Sequence, residues 1–136
     1  MTTGAPGLTT TVPGGVEAPR IARARLAQHF DEGLDPASSD TLKLLSSEVV
    51  TNCVRHAGAS AGVAIELRAW HLSGCIHVEV STATRPFVAR GTSAAPTPRG
   101  NGLRLVRELA RSWGVVDNGR NTVWFKVDVD VAGAEA

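Results

Sequence analysis

Residues 47–57 read SEVVTNCVRHA and contain a carboxylate and an amide that are one helical turn apart. At about 100° per residue, Glu48 and Asn52 lie on the same side of a helix, beside an apolar stripe. The stripe has helical spacing and consists of Leu42, Leu45, Val49 and Cys53. The stretch therefore predicts an amphipathic helix that presents two oxygen-bearing side chains at the edge of the core.

The limits of this helix are also marked. Asp35 can cap its first turn, Pro36 suits the first helical position, and Gly58 can terminate it. An earlier helix is predicted over residues 16–32, where apolar residues recur every four positions before Gly33.

Alternating apolar residues predict strands in the second half of the chain. Residues 63–69 and 76–80 alternate and are joined by a turn at 71–74, which predicts a β-hairpin. Residues 81–99 then lose all periodicity. A loop of this length inside a compact domain is usually functional or disordered.

A third helix is predicted over residues 103–113, with Gly114 as its end. Residues 115–116 and 122–129 then flank an Asn-Gly turn typical of a hairpin. One face of the last strand carries Val123, Phe125, Val127 and Val129. Helices grouped apart from adjacent hairpins predict an α+β, two-layer α/β sandwich with a mixed, mainly antiparallel sheet and the helices on one face.

Length and composition favour one globular domain. The chain has 136 residues and 43% hydrophobic content, enough to bury a real core. We expect a flexible segment over residues 1–15 with an edge strand at 8–12, the domain over residues 16–131, and a tail over 132–136.

Charge and cysteine usage exclude several classes of protein. A formal net charge of +1 argues against a dedicated nucleic-acid binder. No apolar run approaches membrane-spanning length, and residues 1–15 lack the pattern of a secretory signal. Cys53 and Cys75 are far apart, without a His partner at ligand spacing, and are typical of reduced cysteines in a cytoplasmic protein.

Two segments are candidates for chemistry. Glu48 and Asn52 can hold Mg²⁺ beside a phosphate, or the carboxylate can act as a base towards a hydroxyl group or water. A solvated helix flank is the alternative, and for an isolated pair it is favoured. Gly100 and Gly102 precede a predicted helix, where backbone N–H groups can approach an anion and the long loop can close as a lid. A flexible helix start is the alternative there.

Together these segments resemble a known family. EVVTNCVRHA at residues 48–57 is similar to the N-box of the GHKL, or Bergerat-fold, ATPases, in the form found in small anti-sigma-factor serine kinases. GNGL at residues 100–103 resembles their second glycine box, and residues 113–115 and 121–125 resemble their closing helix and strands. The resemblance covers about residues 16–129.

The resemblance implies ATP and Mg²⁺ as cofactors and assigns roles to residues. It implies that Glu48 is the catalytic general base, that Asn52 is the Mg²⁺ ligand, and that Thr122 helps hold adenine through water. The glycine box implies that Gly100, Gly102 and Leu103 contact the nucleotide as part of the ATP lid.

One position departs from the family pattern. Thr82 stands where the family carries an Asp that accepts a hydrogen bond from the adenine amino group. A Thr hydroxyl can accept that bond, but without the charge that strengthens it. We therefore expect Thr82 to contact the base and ATP to bind weakly.

The resemblance implies an ATP-binding anti-sigma-factor regulator with protein serine kinase activity. Its expected partners are a sigma factor and an anti-anti-sigma antagonist protein; pairing as a homodimer is common in the family, and no contact with nucleic acid or membrane is expected. The alternative is a non-catalytic module of the same fold that sequesters a sigma factor or other partner. Glu48 and Asn52 favour the enzyme, whereas Thr82 favours the alternative.

Overall fold

The computed structural model describes four parts of the chain, residues 7–56, 62–82, 103–117 and 121–131. Their elements are, in chain order, β1 (Leu8–Pro13), α1 (Ala18–Phe30), a 3-10 turn (Asp31–Gly33), α2 (Pro36–His56), β2 (Ala64–Leu72), β3 (Cys75–Thr82), α3 (Arg104–Leu109), β4 (Ser112–Asp117) and β5 (Asn121–Asp128). Among these described residues, no helix combines the length and apolar character needed to cross a membrane.

The strands form a five-stranded sheet in the order β1-β2-β3-β5-β4, and every neighbouring pair is antiparallel. Alternate residues of β3, such as Val78 and Val80, are fully buried in a core shared with α1 and α2. His77 and Glu79 lie on the other face, since side chains alternate along a strand. The predicted α+β, two-layer sandwich is confirmed, and its described sheet is antiparallel throughout.

The start of α2 follows the predicted capping pattern. Asp35 Oδ1 accepts a hydrogen bond of 2.9 Å from the N–H of Ser38, and Pro36 is the first helical residue. The cap satisfies an N–H that has no partner within the helix, and proline at this position sacrifices no helical bond. The predicted terminator, Gly58, lies outside the described residues.

The first predicted hairpin is present, with a tighter turn than expected. β2 continues through Leu72, which pairs with Cys75, so the turn consists of Ser73 and Gly74. Gly74 has a φ of 77°, a backbone region that favours glycine. Because the turn sets the register, it also fixes which residues of β3 face the helices.

The predicted helix over residues 103–113 is wrong in its second half. α3 ends at Leu109, Ala110 is extended, and β4 begins at Ser112. The N–H of Arg111 donates a 2.7 Å hydrogen bond to the carbonyl of Lys126, which starts the pairing with β5. Pairing along β5 therefore overrides a short helical repeat, as tertiary contacts commonly do.

Gly114, predicted to end that helix, instead lies within β4 and makes room for an aromatic stack. It pairs with Trp124 of β5 on the face away from the helices. The ring of His77 lies between Trp70 and Trp124, with centroid separations of 4.6 and 5.5 Å. The indole of Trp124 thus stacks on the ring of His77 and also packs closely against the backbone of Gly114.

Gly114→Ala is expected to destabilise the fold. The added Cβ would lie 2.7 Å from Nε1 of Trp124, and moving the indole disrupts its stacking on His77. Overpacking of this kind lowers the free energy of unfolding by about 1–3 kcal/mol, which urea denaturation followed by tryptophan fluorescence would measure. Gly33→Ala is the control, because a Cβ there meets no atom within 4 Å. Equal losses for the two variants would contradict the account.

Candidate functional site

Two backbone anchors set the direction of α2 across the sheet. The N–H of Asp35 donates to the carbonyl of Asp130 at 3.0 Å, and the N–H of Asp130 donates to Ser38 Oγ at 2.8 Å. Residue 130 follows the end of β5, so the start of α2 lies at that end of the strand. Because α2 also packs on β3 and β5, its C-terminal half lies near the beginning of β5.

This direction brings most of the described candidate residues to one end of the sandwich. Glu48 and Asn52 lie in the C-terminal half of α2, and Thr82 at the end of β3 pairs with Asn121 at the beginning of β5. Leu103, which is 3% exposed, directly precedes α3. The N–H of Arg111, two residues after α3, bonds to Lys126 near the end of β5, so α3 ends near that part of the strand.

Burial alters the ionisation of Glu48. Its side chain is half-buried, and burial raises the pKa of this carboxyl because a desolvated carboxylate is disfavoured. The guanidinium of Arg55, two turns along the helix, opposes that increase in the pKa. A carboxylate with a raised pKa is a stronger proton acceptor than one with the ordinary value.

The donor set suits a cation that is shared with a phosphate ligand. Asn52 is 5% exposed and lies one turn after Glu48, so an amide oxygen and a carboxylate face the same end of the sandwich. No three acidic, His or Cys side chains of the described residues cluster as a metal site. Mg²⁺ is usually held by one or two protein oxygens together with substrate phosphates and waters. The residues present therefore fit Mg²⁺ bound together with a nucleotide.

Thr122 does not join this cluster. Its Oγ1 lies 2.9 Å from Ser81 Oγ, and the two hydroxyl groups form a hydrogen bond across β3 and β5. Ser81 directly follows the buried Val80, and Thr122 directly precedes the buried Val123. Because side chains alternate along a strand, Ser81 and Thr122 lie on the sheet face away from the helices. The structure thus directs Thr122 away from the other predicted site residues.

Asn121, the residue before Thr122, lies on the core face of the sheet. It is 1% exposed, and neither Nδ2 nor Oδ1 has a hydrogen-bond partner in the part of the chain that the structure describes. Beside it, Thr82 is fully buried. The alternation of Val123, Phe125 and Val127 already placed residue 121 on the core face, so this signal was present in the sequence.

Gly100 and Gly102 of the predicted lid lie outside the described residues, and their role as backbone donors stays a prediction.

Cys53 lies in the core. It is fully buried in the apolar stripe of α2, and burial raises the pKa of its thiol to about 12. A thiol in that state is inert as a nucleophile, so Cys53 is part of the core.

The antiparallel sandwich and its Glu48–Asn52 helix have the features of a GHKL-type ATPase domain. Residues 13–127 match the histidine kinase-like ATPase domain, and the chain belongs to that family. A search of the curated proteins found no match. The resemblance seen in the sequence is therefore confirmed at the level of the superfamily, whose domains bind ATP, usually with Mg²⁺.

Replacing Arg55 tests the electrostatics of Glu48. Because the guanidinium lowers the pKa of this carboxyl, Arg55→Ala is expected to move its titration midpoint to higher pH. Arg55→Lys keeps the positive charge and should stay closer to the unmodified protein. Carbon-detected NMR of the Glu48 carboxyl group would measure both midpoints. A downward movement in Arg55→Ala would show that the two side chains do not interact as described.

Proposed function

We propose that this domain is an ATP-binding anti-sigma-factor regulator that phosphorylates a serine of an antagonist protein and sequesters a sigma factor. The observation that carries the proposal is the placement of Glu48 and Asn52 at the end of the sandwich where Thr82 and Asn121 meet. A phosphate-binding side and a base-binding side then lie at one end of the fold. Family membership supports ATP binding, and the N-box form supports the choice of serine kinase.

Each residue has a defined task in this proposal. Asn52 would hold Mg²⁺ through its amide oxygen, and bound Mg²⁺ would neutralise phosphate charge and orient the transferred group. Glu48 accepts the proton of the serine hydroxyl as the serine oxygen bonds to the γ-phosphorus. The bond between that phosphorus and the β,γ-bridging oxygen breaks, and the electron pair leaves with ADP.

The raised pKa of Glu48 gives the reaction a defined pH dependence. A base must be unprotonated to accept a proton, so phosphoryl transfer should fall as the pH falls through the pKa of Glu48. Since burial raises that pKa above its usual value, the acidic limb of the rate profile should lie above the range of an exposed glutamate.

Substitutions should distinguish the role of Glu48 as general base from the role of Asn52 as Mg²⁺ ligand. Glu48→Ala is expected to retain Mg-ATP binding and to lose about 10²- to 10⁴-fold in the rate of phosphoryl transfer. Asn52→Ala should instead weaken Mg-ATP binding itself. Calorimetry would give the affinities, and radiolabelled transfer to the antagonist would give the rates. Glu108→Ala, which removes an exposed carboxylate from α3, is the control, and transfer undiminished in Glu48→Ala would refute the assigned base.

A non-catalytic module is the second candidate, and Thr82 is the observation that favours it. Calorimetric titration with ATP, with and without Mg²⁺, discriminates between the two. The kinase proposal predicts weak binding that requires Mg²⁺. The absence of both heat and thermal stabilisation at millimolar Mg-ATP would favour a module that sequesters its partner without nucleotide.

A further inference from the structure

Asn121 is the feature that the proposed mechanism leaves unexplained. Its side chain is buried on the helix-facing side of the sheet, and its amide nitrogen and oxygen lack partners among the described residues. Each buried polar group left unpaired costs about 1–3 kcal/mol, so proteins rarely keep one without a reason. Only one other described residue shares this property, Ser46 in α2, and a helical serine can turn its hydroxyl towards a carbonyl of the preceding turn.

Asn121 is the first residue of β5, so no helical carbonyl lies beside its carboxamide. Its neighbour Thr122 is paired with Ser81 on the opposite face, and Thr82, the residue opposite in the register, lies on the same face as Asn121. The two side chains therefore form an inward-facing polar pair where the end of β3 meets the beginning of β5. We call Asn121 and Thr82 the amide–hydroxyl pair.

We propose that the amide–hydroxyl pair reads the edge of a purine base and accepts adenine and guanine nucleotides with comparable affinity. This inference rests on the proposed function, because it assigns base specificity to the same nucleotide site. Asn121 is the base-contacting residue, and Thr82 is the second contact.

The chemistry of the two side chains is the reason. A carboxamide offers an acceptor beside a donor and can present them in either order by rotating, while a hydroxyl group can donate or accept. Adenine presents an amino donor beside a ring-nitrogen acceptor, and guanine presents a carbonyl acceptor beside a ring N–H donor. Either edge can therefore be matched by rotating Asn121. A carboxylate at position 82 would accept only, and would oppose the guanine carbonyl.

Binding of three nucleotides to the full chain in the presence of Mg²⁺ tests the inference. ATP and GTP should differ in Kd by less than about tenfold, which corresponds to about 1.4 kcal/mol, and CTP should bind more weakly because a single ring loses part of the contact. Equal affinities for all three would show that the phosphates alone are bound, and would overturn the role of Asn121.

Thr82→Asp should make the site selective for ATP over GTP. A hydrogen bond to a charged acceptor should raise the affinity for ATP by roughly tenfold, the lower end of its range, because burial of the new carboxylate opposes the gain. GTP should gain nothing, because its carbonyl faces the new carboxylate. Equal gains for ATP and GTP would place residue 82 away from the base.

Asn121→Leu separates base recognition from a structural role. Leucine has nearly the same size and removes both unpaired polar atoms, so the nucleotide-free variant should melt at the same or a higher temperature. Its affinities for ATP and GTP should fall together. A lower melting temperature would mean that the amide has a partner within the protein, and would overturn the inference.

The two proposals fail in different ways. If the protein binds ATP but binds GTP more than about tenfold more weakly, the nucleotide site stands, and the inference that it accepts both purines is refuted. If neither nucleotide binds, the proposed function fails and the inference falls with it.

Discussion

The hydrogen bonds between Asp130 and the first turn of α2 are the constraint on which the rest of the site depends. They tie the start of the helix to the chain just after β5, so the opposite end of the helix must lie near the beginning of that strand. Thr82 and Asn121 lie at that second end, and Glu48 and Asn52 lie in the half of α2 that approaches it. If α2 ran the other way, Glu48 would lie far from Thr82, and no single ligand would touch both.

The two sides of the site differ in the kind of interaction they offer. The α2 side has a half-buried carboxylate whose pKa is raised by burial, together with an amide oxygen that suits a hard cation. The sheet side has only a neutral amide and a neutral hydroxyl group among its described residues. In the proposed site, such a division favours strong contacts with phosphate and metal over strong contacts with the base.

The sequence was most informative where local chemistry and tertiary contacts agree. The helix with Glu48 and Asn52 has a cap, a proline and an apolar stripe that all indicate one structure, and it was predicted closely. Residues around Trp113 carry a short helical repeat, but pairing with β5 makes them a strand. The resemblance assigns the adenine contact to Thr122, whereas the period-two alternation of β5 places Asn121 on the core face. The direction of α2 depends on long-range hydrogen bonds that no local pattern encodes.

The central claim is that Asn52 and Asn121, on different elements, belong to one nucleotide site. The most direct measurement is a titration of the ¹⁵N-labelled protein with Mg-ATP, following the side-chain NH₂ signals of both residues by NMR. The account predicts that both signals shift along the same saturation curve, while the exposed Gln28 on α1 stays unchanged. A shift at Asn52 without one at Asn121, or shifts with different midpoints, would contradict it.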